Sequence, residues 1–417
     1  MEASKFVLVI GAGAGGLMAA GRAAECGAKV VILERGPCAT RKLRIAGKGR
    51  ANVTNMADLD DFIAAFGENG KFLYGAFSRF FSDDLMSLLS RLGVETKVER
   101  GGRVFPVSDD ADEVADALER WNRGLGVEIR LNTRVRKLTV EEGRAVGVET
   151  FGRPFRGDAV ILATGGITYP RTGSTGDGYR MAAEAGHRII EPRPALTAMV
   201  AAESWVRNLQ GLSLKNVEAK LELVAEDGQR RLVAKQFGEM LFTHFGVSGP
   251  IILTLSRTAV DLIGKGKLEL SIDLKPALND EQLDRRLVRD FVGMKHFTNY
   301  LPDLLPRTLI PVFIQLSGVP GDLPICRITA AQRKRILELL RNLRLTITGL
   351  RPPDEAIVTA GGVDIREIDP RTMESKLVRG LYLVGEVIDI DATTGGYNLQ
   401  AAFSTGWVAG QSAAAPA

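Results

Sequence analysis

Thiols and imidazoles are scarce in this sequence, with three cysteines (Cys26, Cys38, Cys326) and three histidines (His187, His244, His296) among 417 residues. Thiols so few and so scattered build no disulfide framework, and no His/Cys spacing fits a zinc site, so no metal is expected. This usage points to a reducing, cytoplasmic setting, with the thiols as inert core or loop residues. Long apolar runs are lacking too. None reaches the roughly 18 residues that a membrane span needs, which argues against a membrane partner. Phe6 to Ala20 comes nearest and follows Lys5 as the apolar stretch of a secretory signal would, but its glycines mark a strand–turn–helix instead. Charge is nearly balanced, at a net +4, yet residues 281–351 carry 12 Lys/Arg against 6 Asp/Glu. Such a segment can draw an anionic partner such as RNA, although a solvated helix face is its commoner meaning.

Glycine is plentiful, at 46 residues, and much of it falls in tight clusters, as where backbone approaches a ligand. A chain of this length divides into two or three domains. Phe6 to Ile10 reads as a buried parallel strand, Leu17 to Cys26 as a helix ending at Gly27, and Val30 to Leu33 as a second strand. Asp158 to Ala163 and Leu381 to Val384 repeat the buried-strand pattern. Between Pro194 and residue 275 the texture is β-rich, with a hairpin turn at Asp227-Gly228. Residues 280–294 and 330–343 are amphipathic and helical, joined by a proline-rich connector. The pattern describes an α/β domain built from both termini and interrupted by a β-rich, then helical, insertion. No internal repeat occurs.

Gly11-Ala-Gly13-Ala14-Gly15-Gly16 fits G-x-G-x-x-G between the first strand and the first helix. Gly11 permits the tight turn, Gly13 lets backbone approach a pyrophosphate, and Gly16 lets the helix pack on the strand. The helix start then offers free N–H groups and the positive end of its dipole. Glu34, 18 residues beyond Gly16, stands where a carboxylate accepts ribose hydroxyls. Two later glycine-rich strand ends, Ala163-Thr164-Gly165-Gly166 and Gly385-Glu386 with Thr394 to Asn398, exceed what a simple NAD domain requires. A long cofactor touched by both chain ends fits FAD better. Lys42 to Asn55 is a third cluster, read equally as backbone against a ring or as a basic surface loop, given Arg41, Lys42, Arg44 and Lys48.

These stretches, with Gly102 to Val107, Tyr169-Pro170, Gly173 to Gly178, Gly238 to Pro250 and Ala360 to Val363, resemble the HI0933-like family of bacterial FAD-dependent flavoproteins in order along the whole chain. The resemblance implies a glutathione-reductase-like FAD domain from residues 1–193 and 353–417. It implies a β-barrel-like insertion (194–275 and 342–352) carrying a small helical domain (276–341). It implies that Gly11, Gly13, Ala14, Gly15, Glu34 and Arg35 hold the pyrophosphate and adenosine, with Val135 backbone at the adenine. Ala163, Thr164 and Gly165 would line the cofactor. Lys42, Gly49, Arg50 and Asn52, with Gly385, Glu386, Gly395, Gly396, Asn398 and Leu399, would surround its flavin end. Two positions depart from the pattern: Ala51 stands where relatives usually carry Cys, removing any thiol-dependent step there, and Lys48 replaces a small residue and adds a cation.

The expected activity is FAD-dependent oxidoreduction, with NADH or NADPH as donor and an activated double bond of a small organic molecule as acceptor. Reduction of a uridine in RNA is the alternative. His244, Arg50 and Tyr169 are the candidate catalytic groups, and His244 is weighed against a hydrogen-bonded structural histidine. No second G-x-G-x-x-G marks a tight nicotinamide nucleotide site.

Overall fold

The computed structural model describes residues 4–225 and 227–416. The chain forms two compact units, one from residues 1–194 and 353–417 and one from 195–352.

The first unit is organised on a five-stranded parallel sheet in the order Leu381–Leu383, Ala159–Leu162, Phe6–Ile10, Lys29–Leu33, Glu128–Arg130. Apart from the edge strand Glu128–Arg130, its strands are near-continuous apolar runs because helices cover both faces of such a sheet. Val7, Leu8, Val9, Ile161 and Leu383 are fully buried. The first helix, Ala14–Glu25, and the C-terminal helix, Tyr397–Ala414, pack closely against each other. Their approach needs small residues, since a Cβ on Gly406 would lie 2.5 Å from the Gly15 carbonyl oxygen and one on Gly410 2.2 Å from that of Ala19. Both ends of the chain are thereby locked into one core.

The second unit is a closed barrel of six strands, Met199–Ala201, Gly246–Ser248, Arg230–Thr243, Ser213–Val224, Lys267–Asp273 and Leu343–Leu350 in that order around it. The helices Asp280–Asp290 and Ala330–Arg341 start with reciprocal capping boxes at Asn279/Gln282 and Thr329/Gln332. The proline-rich connector holds a helix that the sequence pattern did not show, Ile310–Ser317, with Pro311 in its first turn and left-handed Gly318 ending it. Proline in a first turn removes no helical hydrogen bond, so Pro311 starts this helix and does not break it. Leu283, Phe297, Phe313 and Leu340 share one core with barrel residues Leu221, Phe242 and Ile272, so the helical segment has no separate core.

All three cysteines are exposed, which places them in loops or at helix ends and none in the core. No helix among the described residues is long and apolar enough to cross a membrane.

Candidate flavin site at the strand ends

The carboxyl ends of four parallel strands bring the glycine clusters together, where open α/β sheets place their ligands. After the first strand, Gly11 adopts φ +100°, and a Cβ there would lie 2.6 Å from the Ala163 carbonyl oxygen. Gly16 is equally confined, 2.0 Å from the Gly11 oxygen by the same measure. Gly13 is the opposite, for a Cβ would meet no atom within 4 Å. It caps the first helix with no side-chain hydrogen bond and no acidic residue in the first turn. An open, uncapped and unneutralised helix start is a seat for an anion.

Glu34 shapes that turn. Its carboxylate accepts from the Ala12 amide at 2.9 Å and the Gly36 amide at 2.6 Å. Arg35 donates to Asp177 at 3.1 Å and to the Thr175 hydroxyl, while Arg134 grips Asp177 with two bonds of 3.0 and 2.9 Å. Burial raises the Asp177 carboxyl, but the two arginines outweigh it and hold it below the usual carboxylate range. Val135 is buried at the head of a strand, opposite Thr150.

Around the third and fourth strand ends, Lys42 donates to Glu386 at 2.6 Å and to Thr168 at 2.7 Å. Glu386 also accepts from the Thr359 amide at 2.7 Å and the Thr168 hydroxyl at 3.1 Å, and Tyr179 donates to its carbonyl oxygen at 3.0 Å. Burial pushes the Tyr179 phenol well above its ordinary range. Thr168, Thr359, Tyr179 and Asp177 were not singled out from the sequence. Asp177 lies within the Gly173–Gly178 stretch, and Thr168 and Tyr179 adjoin stretches that carry the resemblance, but nothing in the spacing marks Thr359.

Gly395 and Gly396 close on the Thr54–Asn55 strand. Asn55 donates to the Gly395 oxygen at 2.9 Å, and a Cβ on Gly396 would lie 2.2 Å from the Thr54 oxygen. The C-terminal helix begins here, again without a side-chain cap or an acidic first turn. Tyr397, its first residue, packs edge-on against Phe62 at 4.7 Å. Asn398 is turned to its own loop, accepting from the Ala392 amide and donating to the Ala392 oxygen, while Leu399 lies against the core. Facing this helix start, the Gly47–Ala51 segment holds Gly47, Lys48, Gly49 and Ala51 at positive φ. Ala51 and Lys48 occupy that region against their preference, a strain found at ligand clamps. The Asn52 Oδ1 and Thr164 Oγ1 atoms are buried without a hydrogen-bond partner among the described residues. Buried polar atoms left open in this way call for a ligand or water.

The HI0933-like Rossmann-domain family model matches residues 5–412. The chain belongs to the HI0933-like family. It is 32% identical over 411 residues to the 3-dehydro-bile acid delta(4,6)-reductase of Clostridium scindens, covering 97% of this chain and 98% of that one. It is 28% identical to the ribosomal RNA dihydrouridine synthase of Escherichia coli, covering 97% and 96%. Among solved structures, a flavocytochrome c3 fumarate reductase shares the fold at a TM-score of 0.54 and 20% identity, over 99% of this chain and 78% of that one. The fold is the Rossmann-type FAD-binding fold, and this HI0933-like chain is a flavoprotein oxidoreductase.

The expected catalytic groups of this HI0933-like protein fare differently. Arg50 is spent on ion pairs with Glu99 and Asp109 and lies over the Phe105 ring at 4.2 Å. Those partners, Glu99 first, raise its pKa further. His244 sits in the second unit, exposed on the turn after Thr243, with its ring edge-on to Phe245 and no hydrogen bond among the described residues. The hydrogen-bonded structural role is therefore not what His244 has, because an exposed turn leaves its ring facing water. Tyr169 is half-buried at φ +52°, and its hydroxyl has no partner among the described residues. Among the described residues no group of three His, Cys, Asp or Glu side chains is placed to hold a metal ion.

Proposed function

We propose that the protein holds FAD across these strand ends and uses it to reduce an activated carbon–carbon double bond of a small organic molecule, with NADH or NADPH as donor. The observation that carries this reading is Gly13, an open glycine on an uncapped helix N-terminus behind a fully packed turn. The Gly13, Ala14 and Gly15 backbone would receive the pyrophosphate. Glu34, already oriented by two amides, keeps lone pairs for ribose hydroxyls. Asn52 Oδ1, Thr164 Oγ1 and the start of the C-terminal helix would face the remainder of the cofactor, the helix end favouring negative charge. Bound FAD would supply two-electron hydride transfer. Tyr169, whose hydroxyl has no partner among the described residues, is the proton donor this reading assigns in the first unit, with His244 as the alternative to test. The name of the Clostridium relative, a reductase of bile-acid double bonds, supports the acceptor class.

The test is direct. Denaturing the purified protein should release FAD on chromatography, and anaerobic mixing with NADH or NADPH should bleach it before an α,β-unsaturated ketone restores the colour. FMN, or no flavin, would overturn the assignment.

Uridine reduction in RNA is the second reading, favoured by the name of the Escherichia relative. The basic arm gives it partial support, since four of its arginines are already paired while exposed Lys334 and Arg335 make no ion pair among the described residues. Arg333 pairs with Asp284, Arg341 with Asp273 and Asp280, and Arg286 and Arg289 with Asp290. Paired arginines release fewer counterions from phosphates. If RNA affinity and its salt slope are unchanged when Arg333, Lys334 and Arg335 are replaced together by Gln, the arm is removed as an RNA-binding face.

A further inference from the structure

We propose that a second cleft in the first unit, distinct from the strand-end site, binds a nucleotide. The cleft has a volume of about 500 Å³ and is lined by Arg130, Arg134, Thr150, Phe151, Arg153 and Phe155 among others. That volume lies within the range of small-molecule sites. Three arginines and two phenylalanines interleave there. Arg130 and Arg153 lie over Phe155 at 5.0 and 5.1 Å, and Arg134 over Phe151 at 5.5 Å. Phe151 is 70% exposed, an unusual state for a large ring.

The charges are unevenly answered. Arg134 is neutralised by Asp177 and Arg130 is paired through one nitrogen with Glu128 at 2.7 Å. Among the described residues the buried Nε of Arg130 has no hydrogen-bond partner, and Arg153 makes no ion pair, only its contact over Phe155. An exposed aromatic face beside an unanswered guanidinium recognises a base and its phosphate together. The base would stack on Phe151, and the phosphate would meet Arg153 and Arg130.

The cleft adjoins the strand-end site without sharing the residues expected to hold FAD. The Asn132 and Thr133 amides donate to the Gly36 and Glu34 backbone oxygens, and both residues also line the cleft. Neither Glu34, Arg35, Val135 nor any glycine of the fingerprint lines it. The nucleotide could be free or part of an RNA strand, and the two sources differ in what the test reads.

The experiment uses protein saturated with FAD, titrated separately with adenosine 5′-monophosphate and a short single-stranded RNA. Binding of at least one is expected, with Phe151→Ala and Arg153→Gln each weakening it about tenfold and Arg153→Gln flattening its salt dependence. Binding of the monophosphate assigns a free nucleotide, and binding of RNA alone assigns a strand. Both side chains are exposed, so melting temperature and flavin content should hold. The proposal is overturned if neither probe binds at millimolar concentration, if the substitutions leave binding unchanged, or if they expel FAD, which would make the cleft part of the flavin seat.

Discussion

Lys42 and Glu386, 344 positions apart in sequence, meet in an ion pair of 2.6 Å that ties the helix Arg41–Gly49, which follows the second strand, to the end of the last strand. Both side chains are largely screened from water, at 27% and 20% exposure, and Thr168 and Thr359 complete their hydrogen bonds. A pair so placed should couple measurably. In a double-mutant cycle of Lys42→Met and Glu386→Gln, we expect a coupling of about 1 kcal/mol in unfolding free energy. Weaker flavin retention in both single variants should accompany it. Strict additivity would show that the pair contributes nothing beyond its separate contacts.

Two glycines of one turn should behave oppositely. Gly13 has an extended φ of −80° and open space where a side chain would go. Gly13→Val should therefore leave the flavin-free protein as stable as the parent while abolishing cofactor binding. The variant would also lose the ligand-induced stabilisation, about 4 kcal/mol at a thousandfold excess over Kd. Gly16→Ala places its methyl 2.0 Å from the Gly11 oxygen, so the turn itself must shift, at a cost of about 1–3 kcal/mol without any ligand. Melting curves with and without FAD separate the two effects.

His244 carries a clear kinetic signature if it donates a proton. Being exposed on a turn, it should tolerate His244→Gln with no change in melting temperature. Flavin reduction by the nicotinamide should also be unchanged, and reoxidation by the acceptor should slow about a hundredfold, within the usual range for a lost acid. Unaltered rates in both half-reactions would leave Tyr169 as the donor, with Tyr169→Phe as the matching measurement.

His187 supplies a pH dependence of stability. The Ser375 hydroxyl accepts from the Leu377 and Val378 amides, so its own proton goes to His187 Nε2 at 2.8 Å. The Nδ1–H then donates to Glu367 at 3.0 Å, and the ring is neutral. Burial lowers its pKa from the ordinary 6.5, and Glu367 only partly opposes that. A depressed pKa means that the unfolded chain takes the proton first as pH falls. The stabilisation is thus complete above about pH 6.5 and is lost progressively below it. The melting temperature should drop between pH 7.5 and 5.5, and this component of the slope should vanish in His187→Gln.

The strand–turn–helix of the first 35 residues, the glycine spacing and the acid at the end of the second strand could be read directly from the chain. Each depends on sterics and hydrogen bonds between near neighbours. The buried strands Ala159–Leu162 and Leu381–Leu383 were equally plain, because a sheet covered on both faces demands continuous apolar runs. Partner choice among long side chains was another matter. Arg50 lies two residues from Asn52, whose Oδ1 is left open, yet its guanidinium turns to Glu99 and Asp109. Arg286, Arg289, Arg333 and Arg341 of the basic arm looked free until Asp273, Asp280, Asp284 and Asp290 were found beside them. Thr359 reaches Glu386 only because the Val358–Val363 strand passes next to the last strand's end. Local chain stereochemistry determined where a phosphate could sit. Which charges remain to meet a ligand was decided by tertiary packing, since a flexible side chain pairs with whatever the fold brings within reach, and sequence spacing carries no record of that.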